Sequence, residues 1–383
     1  MAQPDNFGFG EEAALLKESA RKFFADNFPT DQLHVLVATD PDPYRPVAAP
    51  WREDLWRQMV ELGWTALAVP ESAGGVAMPL SAVAGLVEEA GHAAFPCPLL
   101  GTLNTIYVLS GCGPEGEAAL SAIAQGHAAT LAITNRQGSW DVSRCDVRLT
   151  QNSLDGTAWY VQDAGKVSHL LVSAYDGERL CLYWVDVTAP GVTVTPDAII
   201  DLTRDQAHVT FQNVVVDGQR VTEVCTDAVP VLKAAMPAIW TLLAADMVGA
   251  GEWLLQTTTE YARTRQQFDR PLGFFQAIKH PLVNVMIEVD KSKSLVYNAA
   301  CAFDCEPDKA TGYAHMAKSA ASDMASFGSS RAVQFHGGIG FTWECYVHLY
   351  FKRQKHSQLF FGDGPWHRRR LALSLIDREA HVG

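Results

Sequence analysis

The chain has 383 residues, enough for two or three domains with a large buried core. Its hydrophobic content of 48% and charged content of 19% are those of an ordinary globular protein, which excludes the disordered and fibrous classes. The net charge of −13 argues against nucleic acid as a partner, because phosphate binding needs clustered lysines and arginines.

In chain order, the apolar pattern predicts helices, then strands, then helices. Residues 1–127 show helical periodicity, for example in EEAALLKESARKFFADNF. Residues 128–225 contain short β-branched and aromatic runs such as RLCLYWVDV, separated by Gly, Asp and Asn, a pattern typical of antiparallel strands. Residues 226–383 return to long helical segments such as PAIWTLLAADMVGAGEWLLQ. We therefore predict three domains with these boundaries in an α+β protein.

The cysteines and the N-terminus indicate a compartment. Eight cysteines are scattered without a CxxC pair, so we expect reduced thiols and a cytoplasmic location. Cys301 and Cys305 are one helical turn apart, which favours helix packing, and we expect no metal site. The N-terminus has neither the basic nor the apolar region of a signal peptide, and no continuous apolar run approaches about 18 residues. The sequence thus predicts no membrane span.

Two segments in the C-terminal part carry the most specific pattern. YARTRQQFDRPLGFFQAIKHPL is similar to an R-x-x-F-G-x-P signature that continues into F-Q-x-x-x-H, and QFHGGIGFTWECYVHLYFKR is similar to Q-x-x-G-G-x-G…E…R. With LGWTALAVPESAGG and DLTRDQAHVTFQNVVV ahead of them, these segments resemble the acyl-CoA dehydrogenase family over nearly the whole chain. The resemblance implies an N-terminal helical domain, a central antiparallel β-barrel or sandwich and a C-terminal four-helix bundle.

The resemblance also implies bound FAD. A pyrophosphate needs a cation and backbone donors, and Arg265 offers a guanidinium fork while Gly337-Gly338 lets N–H groups approach without a Cβ in the way. A surface salt bridge for the arginine and close helix packing for the glycines are the alternatives. In the family, the first signature serves one FAD and the second serves the FAD of a neighbouring subunit, which implies an oligomer. The implied FAD-binding residues are Arg265, Gln267, Phe268 and Gln276, then Gln334, Gly337 and Gly338, together with Thr134 from a flavin-side segment.

The family reaction needs a carboxylate base to remove the α-proton of an acyl-CoA while the β-hydrogen leaves as hydride. In much of the family a glutamate in a YEGT-like turn is that base, and counted from Arg353 its position is Gly362, in FFGDGPW. Some relatives place the glutamate on the helix before the first signature, where this chain has Ile239. Both positions lack a carboxylate. Asp363, one residue late, is predicted to be a turn or helix-capping residue rather than a base.

Asp246 is a candidate base, because it lies at helical spacing on an apolar face that includes Ile239 and Leu242. Burying a carboxylate there is costly unless it has a partner or a role. Desolvation would raise its pKa, which suits a proton acceptor. The alternatives are a buried aspartate hydrogen-bonded to a neighbouring helix, or one that faces solvent through a kink near Pro237 or Gly249.

Other departures from the family pattern keep the function open. The flavin-side segment T-E-P-x-A-G-S-D reads TNRQGSWD at residues 134–141, and the threonine expected after Trp159 is Val161. The resemblance implies FAD-dependent α,β-dehydrogenation of an acyl-CoA by one chain of a hetero-oligomer. A catalytically silent partner that supplies FAD half-sites to a sister chain is one alternative. A flavin monooxygenase or oxidase of the same fold is another.

The segment FHGGIGFTWE and the basic run at residues 367–370 resemble one branch of the family, the heteromeric enzymes of bacterial steroid side-chain degradation. That branch implies a bulky polycyclic acyl-CoA substrate and a heterotetramer with a homologous sister subunit. It also implies an electron acceptor such as an electron-transfer flavoprotein.

Overall fold

The computed structural model describes residues 6–38 and 51–380, with the side chains of residues 377–380 excepted. Helices form the N-terminal region, as predicted, and residues 80–91 of helix α4 are all buried, as expected of a core helix. The helices are α1 Glu11–Asn27, α2 Thr30–Ala38, α3 Glu53–Glu61, α4 Leu80–His92, α5 Leu99–Leu109 and α6 Glu117–Ala124.

An eight-stranded sheet follows, in the spatial order β6-β7-β3-β2-β4-β5-β8 with β1 beside β4. The strands are β1 Ala129–Ala132, β2 Val147–Thr150, β3 Ser153–Gln162, β4 His169–Asp176, β5 Arg179–Asp186, β6 Val192–Pro196, β7 Gln206–Val215 and β8 Val221–Cys225. Most pairs are antiparallel, but β1 and β2 each pair with β4 in parallel, so the antiparallel prediction is wrong at these two. Neither strand joins β4 through a tight hairpin, and parallel pairing needs such longer connections.

A β-bulge in β3 matters for the site. The register of β3 against β7 shifts between Ala158 and Val161, and Tyr160 has a φ of +56°. Such a bulge bends a strand and re-aims its side chains.

The C-terminal region is a helical bundle, as predicted, in which α7 and α8 pack on α9. Its elements are α7 Ala228–Thr264, a small hairpin of β9 Gln266–Gln267 and β10 Arg270–Pro271, then α8 Gln276–Cys305, α9 Pro307–His336, α10 Val347–Leu359 and α11 Gly364–Ala380. Glycines bring α4 and α7 together: a Cβ on Gly91 would lie 2.2 Å from the carbonyl oxygen of Asp246. The backbone at Asp246 is therefore packed directly against α4, and the residue is buried.

Helix α7 also bears on the expectation of no membrane span. Within the described residues it is the one helix long and apolar enough to cross a membrane by length and composition, with a mean hydropathy of 1.6 in its most apolar window. Because 72% of that window is buried inside the protein, its apolar character is accounted for by its place in the core.

Candidate functional site

Two arginines bind the carboxylate of Asp246 in the core. The aspartate is 2% exposed. Nη2 of Arg204, from the segment between β6 and β7, donates to Oδ2 at 2.5 Å, and Nη2 of Arg353, from α10, donates to Oδ1. Arg353 also donates from Nη1 to the hydroxyl of Thr203 at 2.9 Å. The cluster thus joins α7, α10 and the edge of the sheet domain.

The arginines reverse the effect of burial on Asp246. Burial alone would raise the pKa of this carboxyl, but the charges of Arg204 and Arg353 and their hydrogen bonds outweigh it and lower the pKa. The prediction of a raised pKa is therefore wrong, and so is the alternative of exposure through a kink. The alternative of a buried, hydrogen-bonded aspartate describes the structure. The role of catalytic base stays a prediction, and it is disfavoured because both oxygens already accept bonds from guanidinium groups.

Gly362, at the position where the family glutamate is expected, has no space for a side chain. Gly362 has a φ of +102°, and a Cβ there would lie 2.6 Å from the indole of Trp366 and 3.1 Å from Nε2 of His367. Contacts under about 3 Å between heavy atoms force a neighbour to move. The ring of Trp366, in the first turn of α11, therefore occupies the space that a side chain at the glutamate position would need.

Asp363 caps α11, as predicted. Its Oδ1 accepts a hydrogen bond from the backbone N–H of Trp366 at 2.8 Å, three residues into the turn. The carboxylate thus satisfies one of the N–H groups that a helix leaves without a partner at its start.

Asp363→Ala is expected to lower the free energy of unfolding by about 1 kcal/mol, because it removes this cap. Thermal unfolding of the variant measures the effect, and Asp363→Asn, which keeps an acceptor oxygen, should lose less. Loss of turnover at unchanged stability in the Asn variant would instead assign chemistry to Asp363.

Lys318 lies beneath the same turn and is fully buried. Its Nζ donates to the carbonyl oxygen of Gly362 at 2.8 Å, to that of Gln358 at 3.2 Å and to the hydroxyl of Ser322 at 3.2 Å. Burial lowers its pKa to about 7, against the opposing attraction of Asp363. The lysine therefore ties the end of α10 to the start of α11.

Lys318→Met is expected to reduce the rise of stability with pH. In the folded protein the pKa of Lys318 is about 7, whereas an unfolded lysine has about 10.4. Between these values the unfolded chain binds more protons, so Lys318 makes the wild type more stable as pH rises. Denaturant unfolding measures the free energy of unfolding at about pH 7 and about pH 9. Its increase between these two pH values should be smaller in Lys318→Met than in the wild type. An equal gain would contradict this, and exposed Lys22→Met controls for loss of a charge.

Two histidines beside the turn are neutral. His315 stacks on Trp240 with ring centroids 4.4 Å apart, and its Nδ1 lies 2.7 Å from Nδ1 of His367. Burial lowers the pKa of His315 to about 4 and that of His367 to about 2. One ring donates to the other, and neither is a strong base.

An open cavity of about 270 Å³ lies between the sheet and α10. Its lining residues are Gly138, Trp140, Tyr160, Gln206, His356, Leu359 and Phe360. We call it the ring cavity, because three of its walls are aromatic. Apolar, aromatic walls with a few polar groups are typical of sites for planar ligands.

Trp140 separates the ring cavity from Thr134. Thr134 is buried and lines a separate cavity of about 10 Å³, and Trp140 is in the lining of both. The indole contacts the rings of Phe360 and Phe361, with centroids 5.4 and 5.2 Å away. This residue stands where the family pattern has serine. The predicted contact of Thr134 with flavin therefore requires the Trp140 side chain to leave these rings.

Deeper in the molecule the space is small. Two cavities of about 20 Å³ each share Leu100, Asp163 and Arg204 in their walls. Since one water needs roughly 10–15 Å³, each has room for a single water rather than an acyl chain. The cluster of Asp246 with its two arginines thus lies where this chain offers an acyl group no room.

The predicted FAD-binding residues of both signatures lie on the surface. Those of the first signature, Arg265, Gln267, Phe268 and Gln276, are exposed, and so are Gln334, Gly337 and Gly338 of the second. The ring of Tyr261, one turn before Arg265, stacks on His336 with centroids 4.3 Å apart. This stack brings the two signatures together at one end of the bundle. Their assignment to two different FAD sites stays a prediction, and the geometry favours one shared surface.

These residues fit a flavin nucleotide in two parts. The ring cavity suits a planar ring, while Arg265 and the Gly337-Gly338 turn offer a guanidinium and unhindered backbone to a phosphate. Phe268, in the first signature, is 87% exposed, a large apolar surface for a lone chain. Among the described residues, no signature residue lines the ring cavity. Within the same residues, no group of three or more His, Cys, Asp or Glu is placed to hold a metal.

Comparisons with known proteins agree with the fold and the signatures. The profile "Acyl-CoA dehydrogenase, N-terminal domain" matches residues 10–115 and "Acyl-CoA dehydrogenase, C-terminal domain" matches residues 238–376. Acyl-CoA dehydrogenase IpdE2 of Mycobacterium tuberculosis is 31% identical over 90% of this chain and 91% of its own length. The chain belongs to the acyl-CoA dehydrogenase family. The predicted family, fold and class of flavin-dependent oxidoreductase are therefore confirmed.

Three further relatives of this acyl-CoA dehydrogenase chain are one curated protein and two solved structures. Acyl-CoA dehydrogenase FadE34 of Mycobacterium tuberculosis is 30% identical over 86% of this chain, which spans only 44% of FadE34. A solved variant of the Tcur3481-Tcur3483 steroid ACAD is 27% identical, with a TM-score of 0.85 and coverage of 97% of this chain and 99% of that one. The ChsE4-ChsE5 complex of Mycobacterium tuberculosis is 24% identical, with a TM-score of 0.83 over 97% and 98% of the two chains, and it shows the shared fold.

Sequence reasoning missed the partners of Asp246 and one wall of the ring cavity. Arg204 and Arg353 are 42 and 107 residues from Asp246, and His356 is 194 residues from its partner Gln162. No local spacing indicates pairs so distant. A buried carboxylate needs a cation as its partner. Arg353 could have suggested that partner, but it was used only to count to position 362.

Proposed function

We propose that this chain is the subunit without a catalytic base in a hetero-oligomeric, FAD-dependent acyl-CoA dehydrogenase for bulky, steroid-type acyl-CoA substrates. The observation that carries the proposal is Gly362 itself, because the glutamate position has no carboxylate there and a Cβ would lie 2.6 Å from the indole of Trp366. The other family position is the buried Ile239. The base would therefore come from a homologous sister chain.

The relatives support a two-chain enzyme. The steroid ACAD of known structure is named for two proteins, Tcur3481 and Tcur3483. FadE34 aligns with this chain over less than half of its own length, which leaves space for a second unit of this size in one polypeptide. Both observations are consistent with units that work in pairs.

In this proposal the chain binds and orients rather than abstracts the proton. FAD, when bound, supplies the hydride acceptor. Arg265 and the Gly337-Gly338 turn would hold the pyrophosphate, and Trp140, Phe360 and Phe361 would exclude water from the ring. The exposed Phe268 would be covered by the sister chain.

Co-production with a homologous acyl-CoA dehydrogenase chain of the same organism that has the glutamate tests the proposal. We expect a stable complex that holds flavin and loses visible flavin absorbance when a steroid side-chain acyl-CoA is added. The chain alone, reconstituted with FAD, should show no such bleaching. A homo-oligomer of this chain that is fully active alone would overturn the proposal.

Arg265→Ala separates the pyrophosphate contact from general surface charge. In the complex we expect it to lower the affinity for FAD about tenfold or more, because a charge-assisted bond to phosphate is lost. Arg263→Ala is the matched control, since Arg263 is two residues away, 76% exposed and near Glu260. Equal flavin content in the two variants would exclude Arg265 from the FAD site.

A further inference from the structure

A chain of hydrogen bonds runs from Asp197 to the wall of the ring cavity. Nε2 of Gln206 donates to Oδ2 of Asp197 at 3.2 Å, and Nε2 of Gln162 donates to Oε1 of Gln206 at 3.3 Å. Oε1 of Gln162 then lies 3.0 Å from Nε2 of His356. His208 holds the other oxygen of Asp197 at 2.9 Å. Gln206 and His356 both line the ring cavity.

The carboxylate fixes the direction of every bond in this chain. A carboxylate only accepts, so Gln206 turns its amide nitrogen to Asp197 and its oxygen to Gln162. Gln162 must then donate to Gln206 and present its own oxygen to His356. Nε2 of His356 therefore carries a hydrogen, and in a neutral imidazole Nδ1 is then a lone-pair acceptor.

Nδ1 of His356 is available to a ligand. Burial lowers the pKa of His356 to about 4, so the ring is neutral near pH 7. Within the described part of the chain no hydrogen bond involves Nδ1, and it is not among the buried polar atoms that lack a partner. The atom therefore reaches open space, and the cavity that His356 lines supplies it.

We propose that His356 Nδ1 accepts a hydrogen bond from the edge of the isoalloxazine ring held in the ring cavity. The oxidised isoalloxazine has a single ring N–H, at its N3 position, so this is the donor that His356 would recognise. Trp140, Tyr160 and Phe360 would hold the ring faces and Gln162 would orient the imidazole. The inference rests on the proposed function only in taking the ligand to be a flavin.

Riboflavin and N3-methylriboflavin test this inference on the purified chain, with quenching of flavin fluorescence as the readout. Riboflavin lacks the pyrophosphate, so it reports on the ring cavity alone. Wild type should bind riboflavin about five- to tenfold more tightly than the N3-methyl analogue, the size of one hydrogen bond. In His356→Leu the two affinities should become equal through loss of riboflavin affinity, and His356→Asn, which keeps an acceptor, should retain part of the difference.

Leu359→Ala is the matched control, since Leu359 lines the same cavity without a hydrogen-bonding group. It should weaken the binding of riboflavin and of N3-methylriboflavin by the same factor. Absence of riboflavin binding, or an unchanged preference in His356→Leu, would overturn the inference. Either result leaves the sister-chain proposal standing, because flavin content and bleaching of the complex test that separately.

Discussion

Replacing Asp246 by asparagine is expected to lower the free energy of unfolding by about 3–5 kcal/mol, because it leaves two buried guanidinium groups without their counter-ion. That is a large part of the roughly 5–15 kcal/mol that stabilises an ordinary domain. Asp246 is 2% exposed and both its oxygens are bonded to Arg204 and Arg353. Denaturant unfolding of the purified variant measures the loss.

Acid should reduce the contribution of Asp246 to stability. Its pKa is lowered in the folded protein, so the folded state binds the proton less readily than the unfolded chain, whose aspartates have a pKa of about 3.9. The stabilisation is thus present above about pH 4 and is lost as pH falls through the lower, folded pKa. The difference in free energy of unfolding between wild type and Asp246→Asn should therefore become smaller as the pH falls below about 4.

Asp323→Asn is the matched control for that substitution. Asp323 also pairs with an arginine, Arg368, at 2.7 Å, but the two side chains are 54% and 50% exposed. Exposed pairs of this kind contribute about 0–1 kcal/mol. A small effect of Asp246→Asn, combined with loss of turnover in the complex, would contradict the structural role and restore Asp246 as a catalytic base.

Gly362→Ala is expected to destabilise the protein by about 2–5 kcal/mol. Its added methyl group would sit 2.6 Å from Trp366, and the φ of +102° is unfavourable for any residue with a Cβ. Overpacking costs about 1–3 kcal/mol and backbone strain a similar amount. Gly362→Glu should be worse for the same reason and should not create a working base.

Gly74→Ala is a control for Gly362→Ala, because it introduces backbone strain without a steric clash. Gly74 has a φ of +87°, but a Cβ there would meet no atom within 4 Å. Only backbone strain should therefore destabilise Gly74→Ala, by roughly 1–2 kcal/mol. Equal losses at Gly74 and Gly362 would show that Trp366 does not close the glutamate position.

The sequence predicted the large features because they depend on periodic patterns and long signatures. The helical face containing Asp246 and the cap formed by Asp363 are local, and both were correctly located. The direction of the Asp246 pKa was wrong because it depends on Arg204 and Arg353, which approach only when α7, α10 and the sheet pack together. Charges far apart in sequence leave no periodic trace, so their pairing could not be predicted.

The ring cavity illustrates the same limit. The sequence drew attention to Thr134, but the fold places Trp140 between this residue and the open space. His356 was not noticed, since nothing adjacent to it in sequence suggests a binding role. Its partner Gln162 belongs to a strand of another domain, which only the packing of α10 on the sheet brings within 3.0 Å.

The bleaching of bound flavin by acyl-CoA tests most directly whether this chain lacks a base of its own. The chain is reconstituted with FAD in the absence of any other protein and mixed with a steroid side-chain acyl-CoA without an electron acceptor. The same mixing is done with its complex with the homologous sister chain. We predict that the visible flavin absorbance persists in the chain alone and falls in the complex. Bleaching in the chain alone, at the rate of the complex, would contradict the account.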